Sequence, residues 1–144
     1  MRERWKNDRG QTIFLAPIGF IIVLLLGGVV LEVGNLHLRQ RQLDDLADSA
    51  ASNAAGAGFD IEHFRLNNQI RVNPGAATNV VNITIDSANS NLENVGLVRV
   101  QAAAGASIEV ELSYTHQFIF GRQVFGTSQT LNAVGTAALV ASGP

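Results

Sequence analysis

The longest hydrophobic segment of the chain runs from Ile13 to Leu31 and contains no charged side chain. As a helix, this segment would extend about 28 Å, close to the roughly 30 Å hydrocarbon layer of a bilayer. It is not divided into a hydrophobic and a polar face, as a helix on the surface of a water-soluble domain would be. The pattern therefore predicts a transmembrane helix over residues 13–34, preceded by a basic segment of residues 1–12.

The helix is predicted to continue beyond the apolar run. Residues 35–55 contain neither proline nor glycine and are rich in Leu, Ala, Arg and Gln, and we expect Gly56 and Gly58 to end the helix. Leu and Ala recur at steps of three and four residues, so this extension, residues 35–57, has one apolar face. That face packs either on a neighbouring helix or on this chain's own sheet. The helix-packing candidates are Glu32, Leu43, Leu46, Ala47, Ala50 and Ala54.

Glu32 differs from the other candidates because it is a charged residue at the end of the apolar run. A carboxylate at that depth is costly unless it reaches water or a partner. Two interpretations follow: Glu32 lies at the outer membrane interface, which we favour, or it packs between subunits.

Residues 58–144 are predicted to form a small α+β head. The mixed segment from Phe59 to Val72 is expected to be a turn and a short strand. Asn73 and Pro74 then supply a capping residue and a proline at the first helical position. Residues 75–90 fit both a helix with one apolar face and an alternating strand, and the cap slightly favours the helix.

The last third of the chain alternates between apolar and polar residues. Strands are predicted from Leu97 to Ala102, from Ser107 to Phe120 and, more weakly, from Ser128 to Val140, with a turn at Gly121-Arg122. Three successive strands separated by short connections indicate an antiparallel meander. Its apolar face is expected to lie on the helix from Pro74 or on the long amino-terminal helix.

Charge sets the expected orientation. Four basic residues precede the apolar run, whereas only Arg39 and Arg41 follow it closely, so the amino terminus is predicted to stay in the cytoplasm and the head to lie outside it. A cleaved secretory signal fits the sequence less well than a retained anchor, because the apolar run is longer than the core of a typical signal and no small-x-small cleavage site follows it. The net charge of −2 argues against nucleic-acid binding.

The sequence offers few candidates for catalytic or metal-binding residues. His37, His63 and His116 lack metal-ligand spacing, and His116 falls on the apolar face of a predicted strand, where we expect a core or rim histidine with an ordinary hydrogen bond. The sequence shows no nucleophile elbow and no phosphate-binding glycine loop, and it contains no cysteine. We therefore expect no catalytic residue, no metal, no cofactor and no enzymatic activity.

The first 57 residues carry an ordered set of features. A basic stretch ending in Arg9-Gly10-Gln11 is followed by the apolar run, by Glu32 and by the alanine-rich sequence RQLDDLADSAA at residues 41–51. This order resembles the TadE/TadG-like proteins of bacterial Flp (tight adherence) pilus assembly. More loosely, Val72-Asn73-Pro74 resembles the start of a helix in that family, and the closing strands resemble its carboxyl-terminal sheet.

The resemblance implies a non-enzymatic, pilin-like or scaffold component of a pilus or secretion system in the bacterial membrane. Its partners would be membrane lipid and other pilus-assembly or pilin-like subunits, bound through helix packing. Processed members are cut after the glycine, here between Gly10 and Gln11, and carry Glu at the fifth position after the cut. Leu15 occupies that position, which favours the unprocessed, TadG-like branch.

A second hypothesis is a membrane-anchored extracytoplasmic binding module, with the sheet as its working surface for an envelope polymer or ligand. Surface pili that persist without the protein would favour this hypothesis over the first.

Overall fold

In a computed structural model of the protein, residues 8–67, 72–88, 92, 94–103, 107–119, 122 and 126–139 are described. They form an α+β fold with three helices and one three-stranded sheet, as the sequence predicts. The helices are α1 (Asp8–Ala57), α2 (Ile61–Asn67) and α3 (Pro74–Ala88), and the strands are β1 (Val95–Ala103), β2 (Ser107–Gln117) and β3 (Ser128–Ala138).

Helix α1 is a single helix of 50 residues, which corresponds to a length of about 75 Å. The predicted continuity between the apolar run and its extension is confirmed. The helix ends immediately before Gly58, as expected, whereas Gly56 lies inside its last turn. A Cβ atom on Gly58 would lie 2.7 Å from the carbonyl oxygen of Ala54, so only glycine fits where the chain turns back over α1.

In the described part of the segment between Phe59 and Val72, residues 59–67 and 72, the predicted short strand is absent. Phe59 and Val72 form only an isolated antiparallel bridge, and the segment between them contains α2. The Asp60 carboxylate accepts a hydrogen bond of 2.9 Å from the backbone N–H of His63 and so caps the start of this helix.

Helix α3 resolves the ambiguity over residues 75–90 in favour of the helix. The Asn73 side-chain oxygen accepts hydrogen bonds from the backbone N–H groups of Gly75 and Ala76, at 3.1 and 3.3 Å. Pro74 is the first helical residue, where its missing N–H costs little. The apolar face of α3 buries Ala77, Val81 and Ile85.

The sheet is an antiparallel meander in the order β1-β2-β3, as predicted. Strand β2 buries Ile108, Val110 and Leu112 on one face, while Glu109 and Glu111 lie on the other. It ends at Gln117 rather than at Phe120, and Phe120, Gly121 and Val140 lie outside the described residues. The apolar face of the sheet packs on the second half of α1, which α3 also contacts, so the long helix forms one wall of the core.

Candidate functional site: the apolar half of helix α1 and its junction with the head

The first half of α1 presents its apolar side chains to the surroundings. We call residues 15–31 the anchor segment. Eleven large hydrophobic side chains of this segment are between 51% and 75% exposed: Leu15, Ile18, Phe20, Ile21, Ile22, Val23, Leu24, Leu25, Leu26, Val30 and Leu31. A contiguous apolar surface of this extent is not stable in water and marks a surface that lipid or protein covers.

The second half of α1 is covered by the head. Of the residues predicted to pack helices, Leu43, Leu46, Ala47, Ala50 and Ala54 are buried in a core formed with α3 and the sheet. The stripe of Leu and Ala is therefore the seat of this chain's own sheet and is occupied within the single chain. Asp44, Asp45 and Asp48 lie on the exposed side of the same helix.

Glu32 lies where the anchor segment ends and the covered half begins. Its side chain is buried, with 7% of the residue exposed. Its Oε1 atom accepts a hydrogen bond of 2.7 Å from the backbone N–H of Ile119, the second residue after β2. A buried carboxylate requires such a donor, because desolvation without one is costly. The structure thus places Glu32 inside its own chain's fold, at the base of the head.

His116 lies beside the Glu32 carboxylate on the buried face of β2. Its Nε2 atom is 3.8 Å from Glu32 Oε1, and only 6% of the residue is exposed. The contact is an ion pair only when the imidazole is protonated. Phe118 meets the His116 ring edge-on, with ring centroids 5.3 Å apart. The expectation of a core histidine is confirmed, but among the described residues Nε2 has no hydrogen-bond partner.

Two further contacts hold the head on α1 above this junction. Gln40 donates a side-chain hydrogen bond of 3.1 Å to the carbonyl oxygen of Asn132 in β3. Gly135, also in β3, lies directly against the backbone of Ala47, where any Cβ atom would overlap the Ala47 carbonyl group. The contacts at Glu32, Gln40 and Ala47 are separated by about 12 and 10 Å along the helix. The head therefore contacts α1 at three positions along the second half of the helix.

The sequence indicated Glu32 as unusual but did not reveal its partners. Ile119 is 87 positions away in the chain. The contacts of Gln40 with Asn132 and of Gly135 with Ala47 also join distant parts of the chain, so the sequence did not indicate them. The remaining sequence candidates, Gly10 and Gln11, lie in the first turn of α1, and their side chains are outside the described part of the structure.

Comparison with protein families bears on this same helix. Residues 10–57 match the family model Tad, described as putative Flp pilus-assembly TadE/G-like. The amino-terminal segment is similar to this family. The match spans 48 of the 144 residues and ends with the last residue of α1. It supports the TadE/TadG-like family and a role in pilus assembly, without distinguishing the TadE from the TadG branch.

The matched segment also contains the membrane-spanning candidate. Among the described residues, one helix, within Leu15–Ala57, is long and apolar enough to cross a bilayer by length and composition. Together with the family match, this helix fits a membrane-anchored protein. No significant match to a curated protein or to a solved structure was found.

Proposed function

We propose that the chain is a single-pass, membrane-anchored, non-enzymatic subunit of Flp/Tad pilus assembly or of a related secretion system, acting as a pilin-like or scaffold component. The observation that carries the proposal is the division of α1 into two halves. The anchor segment leaves its apolar side chains exposed, whereas the half from Glu32 onward buries one face against the head.

The energetics of the anchor segment favour lipid as its surroundings. At the centre of a helix, each Leu, Ile, Val or Phe favours membrane insertion by about 0.3–0.6 kcal/mol. The eleven large exposed side chains of the segment together favour it by roughly 3–7 kcal/mol. Glu32, the first acidic residue after the segment, is folded into the head, so no bare carboxylate opposes insertion.

The distribution of basic residues supports an orientation with the amino terminus in the cytoplasm. Arg2, Arg4, Lys6 and Arg9 precede the anchor segment, and positive charge is retained on the cytoplasmic side of a membrane. The head would then lie on the outer side of the membrane.

Helix packing with other subunits is proposed to use the anchor segment. The Leu and Ala stripe of α1 is occupied by the chain's own sheet. By contrast, the positions of Gly19 and Gly27 have open space around them, and glycines allow close approach of helices in lipid. Neighbouring pilin-like subunits would therefore contact this protein within the bilayer.

We place the protein in the TadG-like branch, with an uncleaved amino terminus, because Leu15 stands where processed members carry Glu. The mass of the mature chain decides this point. An intact chain supports an anchored scaffold, and loss of the first ten residues supports a processed, pseudopilin-like subunit.

The function is tested by deleting the gene in its host and counting surface pili by electron microscopy. We expect pili to be lost and to return when the full chain is supplied. A chain in which three apolar residues of the anchor segment, Ile22, Leu24 and Leu26, are changed to Asp should not restore them. Pili that persist in the deletion strain would contradict the proposal and favour the anchored binding module.

A further inference from the structure

The sheet runs along α1 with one end toward the anchor segment. Gln40 bonds Asn132, and Ala47 lies against Gly135, so β3 runs in the same direction as α1. Strand β2 is antiparallel to β3 and therefore runs back toward the anchor segment. The end of β2 and the start of β3 thus form the end of the sheet that faces the membrane-spanning candidate.

The hydrogen bond to Glu32 sets the level of this end of the sheet. The backbone N–H of Ile119, two residues after β2, donates this bond of 2.7 Å to Glu32 Oε1. Glu32 directly follows Leu31, the last residue of the anchor segment, and side chains on a helix point toward its amino terminus. The Ile119 backbone therefore lies at the level of the last turn of the anchor segment.

Ile119 combines this level with an apolar side chain that is 78% exposed. One exposed apolar side chain is ordinary on a protein surface, and Ile83 on α3, 64% exposed, is another example. Ile83 lies far from the anchor segment, because the adjacent Thr84 hydroxyl accepts a hydrogen bond from Asn53, about 31 Å beyond Glu32 along α1. Ile119, by contrast, is exposed where the hydrocarbon layer is expected to end.

Arg122 adds a positive charge to the same end of the head. The residue is exposed, and its Nε atom donates a hydrogen bond of 3.1 Å to the carbonyl oxygen of Phe118, which holds it close to Ile119. None of the described residues between β2 and β3, numbers 118, 119, 122, 126 and 127, is acidic. An exposed apolar side chain with a basic residue close by suits the boundary between acyl chains and lipid phosphates.

We propose that the end of β2 makes a second membrane contact, in which the Ile119 side chain enters the boundary between acyl chains and headgroups beside the anchor segment. The hydrogen bond to Glu32 holds Ile119 at that depth, and lipid phosphates attract the charge of Arg122. A contact beside the helix limits how far the head can tilt over the membrane. The inference rests on the proposed membrane anchoring and adds to it a lipid contact made by the head.

The test measures the surroundings of three side chains in the full chain, reconstituted in vesicles of phosphatidylethanolamine and phosphatidylglycerol. Because the sequence contains no cysteine, the variants Ile119→Cys, Ile83→Cys and Leu24→Cys each carry one nitroxide spin label. Paramagnetic resonance compares collisions of the label with oxygen, which concentrates in lipid, and with a hydrophilic nickel chelate, which stays in water. Ile83→Cys is the matched control, and Leu24→Cys reports on the anchor segment.

We expect the ratio of oxygen to nickel collisions at residue 119 to exceed the ratio at residue 83 by at least about three-fold, because apolar surroundings exclude the polar chelate. The ratio at residue 24 should be higher still, because this residue lies within the hydrocarbon layer. Ile119 bonds Glu32 through its backbone N–H, so the substitution keeps the hydrogen bond. Circular dichroism checks that the variants keep the same fold.

Two results would overturn the second membrane contact. Equal ratios at residues 119 and 83 would place Ile119 in water, and shielding of residue 119 from both reagents would assign it to a contact with protein. The label at residue 24 separates these results from failure of the anchor. A high ratio at residue 24 with a low ratio at residue 119 contradicts only the contact made by Ile119, whereas low ratios at both contradict the membrane anchoring as well.

Discussion

Gly135 lies very close to the long helix α1. Its Cα lies over the backbone of Ala47, and a side chain there would overlap the Ala47 carbonyl group and the N–H of Asp48. The neighbouring buried residues of β3, Leu131 and Ala133, face the same helix. The absence of a side chain at one position therefore sets how closely the head lies on α1.

Replacing Gly135 with Ala should destabilise the head by about 3 kcal/mol, because the helix or the strand must move to admit the methyl group. The expected result is a lower melting temperature of the detergent-solubilised chain, followed by circular dichroism. Gly34→Ala is the control, since a Cβ atom at Gly34 has open space around it and Ala favours the helix. Equal melting temperatures for Gly135→Ala and the unsubstituted chain would show that β3 does not pack on Ala47 as described.

Glu32 is the second residue on which the junction depends. Its carboxylate accepts the N–H of Ile119 and lies beside the His116 ring. Neither partner can be predicted from the local sequence, because both lie far from Glu32 along the chain. Ile119 is 87 positions away. The sequence predicted only that a charged residue at this depth needs water or a partner, and the fold provides a partner from the same chain.

Glu32→Ala removes the acceptor of the Ile119 N–H. We expect a loss of about 1–2 kcal/mol in the free energy of unfolding of the head, and faster hydrogen exchange at the Ile119 amide, measured by NMR or mass spectrometry. Glu32→Gln keeps an acceptor oxygen of similar shape and should retain most of the protection. If Ile119 exchanges equally fast in the unsubstituted chain and in Glu32→Ala, the hydrogen bond does not hold the end of β2.

At the scale of elements, the parts of the fold with a clear hydrophobic period were predictable. The uninterrupted apolar run and the Leu and Ala stripe predicted α1 up to Gly58, and the strict alternation from Ser107 predicted β2 and its buried face. Both follow from spacing along the chain alone. The end of β2 was predicted three residues too late, because alternation continues to Phe120 although the pairing with β3 ends at Gln117.

Helix α2 was missed for a local reason. Its seven residues are too few to show a helical period, and its start depends on the Asp60 carboxylate that caps the N–H of His63. An Asp followed by a Glu in the first turn is a recognised signal for the start of a helix. Asp60 and Glu62 give this signal, and it could have indicated α2. The partner of the Leu and Ala stripe was also undecided, because a sheet and a neighbouring helix both fit a face of small residues.

The orientation of α1 is a prediction about this element that the absence of cysteine makes simple to test. Single cysteines at Asn7, before the anchor segment, and at Thr130, an exposed residue of β3, act as reporters for a membrane-impermeant maleimide. We expect Thr130→Cys to be labelled in intact spheroplasts and Asn7→Cys only after lysis, because basic residues before a transmembrane helix favour a cytoplasmic amino terminus. The reverse pattern would invert the proposed topology.

At the scale of the whole molecule, the protein is one long helix with two environments. Lipid is proposed to surround the anchor segment, whereas the chain's own sheet and α3 pack on one face of the other half. Because the head contacts α1 at Glu32, Gln40 and Ala47, we expect a lateral contact made in the bilayer to move the head with the helix. That coupling suits a subunit that transmits assembly in the membrane to a surface structure.

The proposed function and the proposed topology both depend on a membrane environment for the anchor segment. It is tested most directly by extracting membranes that contain the full chain with alkaline carbonate and by sedimenting them. We expect the protein to stay in the membrane pellet and to dissolve only with detergent. Recovery of the full chain in the carbonate supernatant, as a monomer without detergent, would contradict it.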